Sequence, residues 1–549
     1  MELGCPRGRS PVECVMRIAT RAAIGLIGVL AGCARSAETP IAPPAAPALA
    51  VPPTSAELRR DLMVFASDSF RGRETGTADE RRAAAFLIGR LTKIGLRPAG
   101  DSGYLQRVPL IRMRLGAGTH FAVHGHGIAA AGQPVTGLVP LIALGDGAPP
   151  PCPQVDGELV FAGYGVARPD GGDDLAKIPL TGRVVVVING APPGAAAARR
   201  SELESSNAIG SRLDRILARH PAGVIILATG ASADLYEPMR RALDRGPLLS
   251  AASASSPTDP SHLDTASATT SACVHGVPML VLGLPVAGSP LLPRRWPRDD
   301  RPQLLAGERF SGAIEVVRTP VESFNVIAAL PGRDSALERT WVEYSAHYDH
   351  LGIVPAVRGD SVAHGADDDG SGSVALLAIA RAMRQAPRPR RSVLFVWHTG
   401  EEEGLLGSAY FTSHPVVPVD SIVALINADM IGRNAPESLY VVGPGAAPHG
   451  ISRALGRVVD SVNASLAMPF AFDRAWDTPG NPQRIYFRGD AFHYAEHGVP
   501  IAFFTSGLHA DYQQASDEPL RIDYAKLAHV SQLLFLVGES LANRDARPR

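Results

Sequence analysis

The spacing of apolar and polar positions changes character three times along this chain. Between 55 and 110 it is helical: Ala56 to Ala66 predicts one helix and Asp79 to Ile94 a second, with Leu87, Ile88, Leu91 and Ile94 at helix spacing. From about 155 to 315 short β-rich runs take over, at Glu158 to Phe161, Arg183 to Ile188, Val224 to Leu227 and Val277 to Leu282. Ala-, Ser- and Gly-rich stretches separate them, and 250–272 reads as a mobile loop. After Phe324-Asn325-Val326-Ile327 strands and helices alternate. Strands are predicted at 341–346, 392–398, 422–428, 438–442 and 499–505, and helices at 373–385, 407–413 and 449–463. This alternation predicts an α/β fold, a mostly parallel mixed sheet flanked by helices on both faces. Ligands in such sheets bind beyond the carboxyl ends of the strands.

A chain of 549 residues is too long for one compact core, so two or more domains are expected. Its 53 Lys plus Arg balance 54 Asp plus Glu, which argues against general nucleic-acid binding. Near the N-terminus Arg17 and Arg21 precede the apolar run Ala22 to Leu30, too short for a stable membrane span. The run ends in Leu30-Ala31-Gly32-Cys33, which resembles a bacterial lipobox. The expectation is a lipoprotein signal over 1–33, lipidation at Cys33, and a membrane anchor in the cell envelope, either the outer membrane or the periplasm. An ordinary cleaved secretory signal with an incidental cysteine is the alternative. Residues 34–54, rich in Pro and Ala, have the composition of an extended tether. With Cys5, Cys14 and Cys33 accounted for, Cys152 and Cys273 remain and could pair in an oxidising compartment. No zinc-finger or redox cysteine spacing occurs, so any bound metal would rest on His and carboxylates.

The candidate chemistry gathers at predicted strand ends. Glu401-Glu402-Glu403-Gly404 follows the apolar run Ser392 to Trp397. His347-Tyr348-Asp349 follows the run from Trp341 to Tyr344. Gly365-Ala366-Asp367-Asp368-Asp369-Gly370-Ser371-Gly372 and Asn427-Ala428-Asp429 complete the set. Acidic groups at the end of a core strand are costly unless paired or bound to metal. Zinc takes imidazole nitrogen and carboxylate oxygen. Two ions about 3.5–4 Å apart need a bridging carboxylate, and a carboxylate free of metal can move protons.

On these motifs residues 318–545, with 55–150, resemble the co-catalytic di-zinc aminopeptidase family, whose fold is shared with glutamate carboxypeptidase and the glutaminyl cyclases. The resemblance implies a zinc-exopeptidase-like fold and two zinc ions. It implies His347 and Asp429 on one zinc, Asp368 as the bridging ligand, Glu402 on the second zinc, and Glu401 as general base. Asp349 would orient His347, and the bond from Asp368 to Asp369 is often cis in the family. The middle region, 151–317, resembles an inserted β-rich protease-associated domain, through Val155-Asp156-Gly157-Glu158 to Gly163-Tyr164-Gly165 and through Leu180 to Val187.

Two positions depart from the family pattern. Where relatives carry the histidine of the second zinc site, this chain has Gln513, within Asp511-Tyr512-Gln513-Gln514-Ala515-Ser516-Asp517. Gln513 could coordinate through oxygen, His509 could swing in, or one metal alone could bind tightly. Ala491 stands where relatives usually have a histidine near the substrate pocket. His350 and His398 read as structural or supporting histidines. The expected function is a metal-dependent exopeptidase, an aminopeptidase acting on peptide substrates. The alternatives are a weakened relative that binds peptides or partners through the inserted domain, and carboxypeptidase-like or cyclase-like chemistry.

Overall fold

The computed structural model describes residues 51–548 except 126–131, 141–153, 167–172, 177, 193, 205, 229–232, 251–276, 284–300, 358, 445–450, 479–480 and 482. The signal segment, Cys33, most of the tether, Cys152, Cys273 and nearly all of the predicted loop 250–272 therefore lie outside the described residues. No helix among the described residues is long and apolar enough to cross a membrane.

Ten described strands form the larger sheet. At its centre Ser392–His398, Trp341–His347, Ile422–Ala428 and Ile501–Thr505 lie side by side and parallel. These strands are buried along their whole length because both faces are covered. Val393, Phe395 and Trp397 face one core, formed with helices Ser55–Phe65, Ala78–Ile94, Gly372–Gln385, Arg453–Ala464 and Tyr524–Asn543. Leu394 and Val396 face the other, beneath helices Leu406–Ser413 and Ala491–Glu496. Each fully buried Val, Leu or Phe side chain stabilises the fold by about 1.5–3 kcal/mol, and such burial explains the unbroken apolar runs of these strands. Outside this parallel centre the sheet continues antiparallel through Val316–Leu330, Leu105–Leu115 and Leu248–Ser250.

The helices begin and end where local chemistry allows. Thr54 and Glu57 form a reciprocal capping box at the start of Ser55–Phe65. Thr77 caps Ala78–Ile94, and Gly95 closes that helix in the left-handed region at φ 80°. Asp523 accepts from the backbone of Ala525 and Lys526 to start Tyr524–Asn543.

A second sheet of eight described strands has its own two-sided core. Gln154–Phe161, Val184–Asn189, Gly223–Ala228 and Met279–Gly283 run parallel in it. Val184 and Val186 face one side, Val185 and Val187 the other. Two helices that the Ala- and Ser-rich texture conceals, Ser206–Leu217 and Ala233–Arg245, make this region mixed α/β rather than simply β-rich. Boundaries also differ from the sequence reading. His120–His124, Gln133–Pro134 and Val139–Pro140 join the second sheet, whereas Leu248–Ser250 returns to the edge of the larger one. Backbone hydrogen bonding to distant strands decides both memberships, and no local pattern encodes it.

Glu343 is a buried carboxyl in the middle of a central strand. It accepts a hydrogen bond from the Tyr494 hydroxyl, which also lies 3.0 Å from His398 Nε2. Burial pushes its pKa up to about 8, against the opposing hydrogen bond from Tyr494. A carboxyl whose folded pKa is raised stabilises the fold below its unfolded pKa, near 4.3, and loses that contribution as pH rises towards 8. The slope is about 1.4 kcal/mol per pH unit within the window. Melting temperature should therefore fall between pH 5 and pH 8 in the wild type, and Glu343→Gln should flatten that fall. Equal slopes for the two proteins in thermal melts would refute this.

Candidate metal and catalytic site

The site is assembled at the carboxyl ends of the parallel strands. His347 ends one strand in register with His398, which ends its neighbour and leads into Glu401 and Glu402. Asp429 directly follows Ile422–Ala428. Asp368 comes from the turn before helix Gly372–Gln385, where Gly365 adopts φ 54° and the Asp368–Asp369 bond is cis.

Two groups of potential ligands meet there, His347 with Asp368 and Asp429, and His350 with Asp368 and Glu402. Asp368 belongs to both. His347 Nε2 lies 3.2 Å from Asp368 Oδ1, 3.6 Å from Asp429 Oδ1 and 3.9 Å from Glu401 Oε2. His350 Nδ1 lies 2.6 Å from Glu402 Oε1. The other Glu402 oxygen, Oε2, accepts from Gln513 Nε2 at 3.0 Å. Glu401 belongs to neither group.

Asp349 meets His347 and also has a further part. His347 Nδ1 is 3.2 Å from the Asp349 backbone carbonyl and 3.7 Å from its carboxylate. The carboxylate also accepts from the backbone of Glu401 at 3.2 Å and Glu402 at 3.4 Å, and from the Thr75 hydroxyl at 2.9 Å. Asp349 thus joins the His347 loop to the glutamate loop, and the imidazole is steadied mainly by a main-chain oxygen. Asp517 accepts from the backbone of Asp367 and Asp368 at 2.9 and 3.1 Å. Asp369 accepts from the backbone of His347 and Gly372 at 3.2 and 2.8 Å. Arg73 is fully buried and donates to the carbonyls of Tyr348, His364 and Gly365 at 2.9, 2.8 and 2.9 Å.

Burial dominates the electrostatics. It pushes the Glu401 carboxyl well above the ordinary range, with Glu402, Asp429 and Asp490 adding repulsion and His347 opposing. It lifts Asp490 to about 7, with repulsion from Asp349 and Asp429, and Asp517 to about 6, with repulsion from Asp367. Burial also lowers Arg73 to about 10 despite the surrounding carboxylates, and His398 to about 3.

His347 Nε2, both His350 ring nitrogens, Asp368 Oδ2, Glu402 Oε1 and Asp429 Oδ1 are buried without a well-formed hydrogen bond. Unpaired polar atoms of this kind are costly, and here they converge on two points from a His-and-carboxylate donor set. That set fits zinc.

Of the residues singled out in the sequence, His347, Asp368, Glu401, Glu402 and Asp429 come together. The side chain of Gln513 is exposed, its backbone is at φ 56°, and its amide nitrogen faces Glu402. His509 faces Asp367, with Nε2 3.3 Å from Asp367 Oδ2, and not Glu402. His364 bonds the Ala66 carbonyl and Asp360, and His493 contacts Glu496. The sequence reading gave His350 a structural or supporting part and assigned none to Asp490, Thr75 or Arg73. His350 lies one residue beyond the His-x-Asp motif, a signal that could have been followed. The N-terminal pair carries no local signal.

The model of peptidase family M28 matches residues 325–537. Leucine aminopeptidase 1 of Aspergillus fumigatus is 32% identical over 163 residues, 29% of this chain and 38% of the relative. A probable zinc metalloprotease of Pyricularia oryzae is 26% identical over 283 residues, 43% of this chain and 53% of the relative. The chain thus spans about two-fifths to one-half of these curated relatives. Among solved structures, an aminopeptidase from Aneurinibacillus sp. strain AM-1 aligns at TM-score 0.52 and 14% identity, over 90% of this chain and 95% of its own. A zinc aminopeptidase from Bacillus subtilis aligns at TM-score 0.50 and 16% identity, over 90% of this chain and 97% of its own. At such identities the likeness is one of fold, a mixed α/β architecture with large sheets flanked by helices. Residues 325–537 are thus similar to peptidase family M28.

Proposed function

We propose that this protein is a zinc-dependent aminopeptidase that removes N-terminal residues from peptides. The observation that carries the reading is Asp368 shared between two His-and-carboxylate groups, with Glu401 3.9 Å from His347 and in neither group. The match of residues 325–537 to the M28 family model and the names of the curated relatives support the same activity.

In this reading His347, Asp368 and Asp429 hold one zinc, and Asp368 with Glu402 holds the second. Zinc so bound supplies Lewis-acid chemistry, polarising a carbonyl and making water acidic. Glu401 accepts a proton from the water that attacks the scissile carbonyl carbon. It returns that proton to the amide nitrogen as the carbon–nitrogen bond breaks, so the amine leaves neutral. Burial raises the proton affinity of Glu401 and suits it to hold the proton between the two steps. Asp349 fixes the backbone of Glu401 and Glu402 and so sets where the base points. The adjoining pocket sets Met430, Trp476, Ile485, Phe503 and Leu508 beside Arg488, Thr505 and Tyr512, and its apolar part favours an apolar first side chain.

Glu401→Gln should lower kcat on leucyl-anilide by about 10²–10⁴-fold with zinc content unchanged; near-normal turnover would remove Glu401 from this role. Leucyl-anilide should be cleaved faster than glutamyl-anilide, and Trp476→Ala should narrow the gap by about tenfold or more. A wild-type preference for the acidic substrate would contradict the apolar pocket. Zinc-loaded protein that hydrolyses none of these would instead support the binding-only relative motivated by Gln513 and Ala491. We also propose, from the sequence, export with lipid attachment at Cys33 and a lid role for 151–317 as a protease-associated domain. Cys33→Ala should move the protein from the membrane to the soluble fraction, and an unchanged distribution would rule the anchor out.

A further inference from the structure

We infer that His350 supplies the second zinc site with its nitrogen donor, in place of a histidine at position 513, and that Gln513 positions Glu402 instead of binding metal. The inference rests on the two-zinc reading above and concerns only how the second ion is held.

Three observations carry it. His350, Asp368 and Glu402 bring one potential ligand atom each to a common point, and the His350 ring is 1% exposed with neither nitrogen in a well-formed hydrogen bond. The backbone is shaped to admit that ring. A Cβ on Gly365 would lie 2.5 Å from His350 Cδ2, and Gly365 holds φ 54°, where a side chain is strained. Finally, Gln513 turns its donor end towards the site. Its Nε2 hydrogen-bonds Glu402 Oε2 at 3.0 Å, leaving Glu402 Oε1 to face His350 Nδ1 at 2.6 Å. An amide N–H has no lone pair for a metal, whereas a neutral imidazole does. Since His509 is engaged with Asp367, His350 is the histidine that faces Glu402. With it, each zinc has one imidazole and two carboxylates, and Asp368 is common to both.

The test is zinc stoichiometry and affinity by competition with a chromophoric chelator, on folded protein verified by circular dichroism. Wild type should bind two zinc ions. His350→Ala should keep the first and weaken the second by about 100-fold or more. Gln513→Ala should keep both, with at most a tenfold loss. The double variant His350→Ala with Gln513→His should regain the second ion. Retention of two tightly bound ions by His350→Ala overturns the inference and leaves the two-zinc reading standing. So does a loss of the second ion in Gln513→Ala as great as in His350→Ala. A wild type that binds one ion or none overturns both. Should His350→Ala not fold, proton NMR of the wild type loaded with cobalt(II) decides. Two exchangeable, hyperfine-shifted imidazole N–H signals are expected, and one would exclude His350.

Discussion

Keeping carboxylates together out of water is the constraint on which the rest of this structure depends. Asp349, Asp367, Asp368 and Asp369 are buried, and the side chains of Glu401, Glu402 and Asp429 are at most 15% exposed. Desolvating one charge costs several kcal/mol, and neighbouring like charges add to it. The protein offsets this cost with oriented main-chain N–H groups, with hydroxyls and with one deeply buried arginine. Asp517 and Asp369 accept from backbone donors around the cluster, and Asp349 takes two more from the glutamate loop. Among the atoms these leave unmatched are those at the two convergent points, where a dication would complete the balance.

The same constraint explains the architecture around the site. The central strands are buried on both faces, so polar groups are costly along them, Glu343 being held by Tyr494, and the functional residues sit where the strands end. Support extends beyond that edge. Thr75 donates to Asp349, and Arg112 donates to the Thr75 carbonyl at 3.1 Å and to the Arg245 carbonyl at 3.1 Å. Arg245 ends a helix of the middle region, and Leu248, just beyond it, donates its backbone N–H to Glu403 at 3.4 Å. The middle region is therefore wired to the glutamate loop through hydrogen bonds on both sides. Glu80 plays a related part from the N-terminal helix. It is buried, accepts from Ser323 and Thr399, and is pushed up to about 7 by burial.

Much of this was legible along the chain. The central strands and helix Gly372–Gln385 fall within a residue or two of their sequence-based positions, because two-sided burial writes an unbroken apolar run. His347, Glu401, Glu402 and Asp429 were legible as well, since each follows such a run closely, and Asp368 through the acidic, Gly-flanked segment before the helix. The helices of the middle region were not, as they lie within the Ala-, Ser- and Gly-rich stretches between the β-rich runs, where composition reads as loop. Arg73, Thr75 and Glu80 stand 243 to 319 residues from the site atoms they hold, and no spacing rule reaches that far.

The sequence by itself determined the inventory: which residues can bind metal, which can move a proton, and at which strand ends they emerge. Only the tertiary structure decided their division of labour. Gln513 reads along the chain as a weakened ligand, but its amide hydrogen-bonds Glu402. His350 reads as a bystander, yet its ring faces the same carboxylate. The physical reason is that coordination and hydrogen bonding depend on which atom of a side chain faces which. That is set by strand register, by a glycine that lets a ring approach, and by partners distant in the chain.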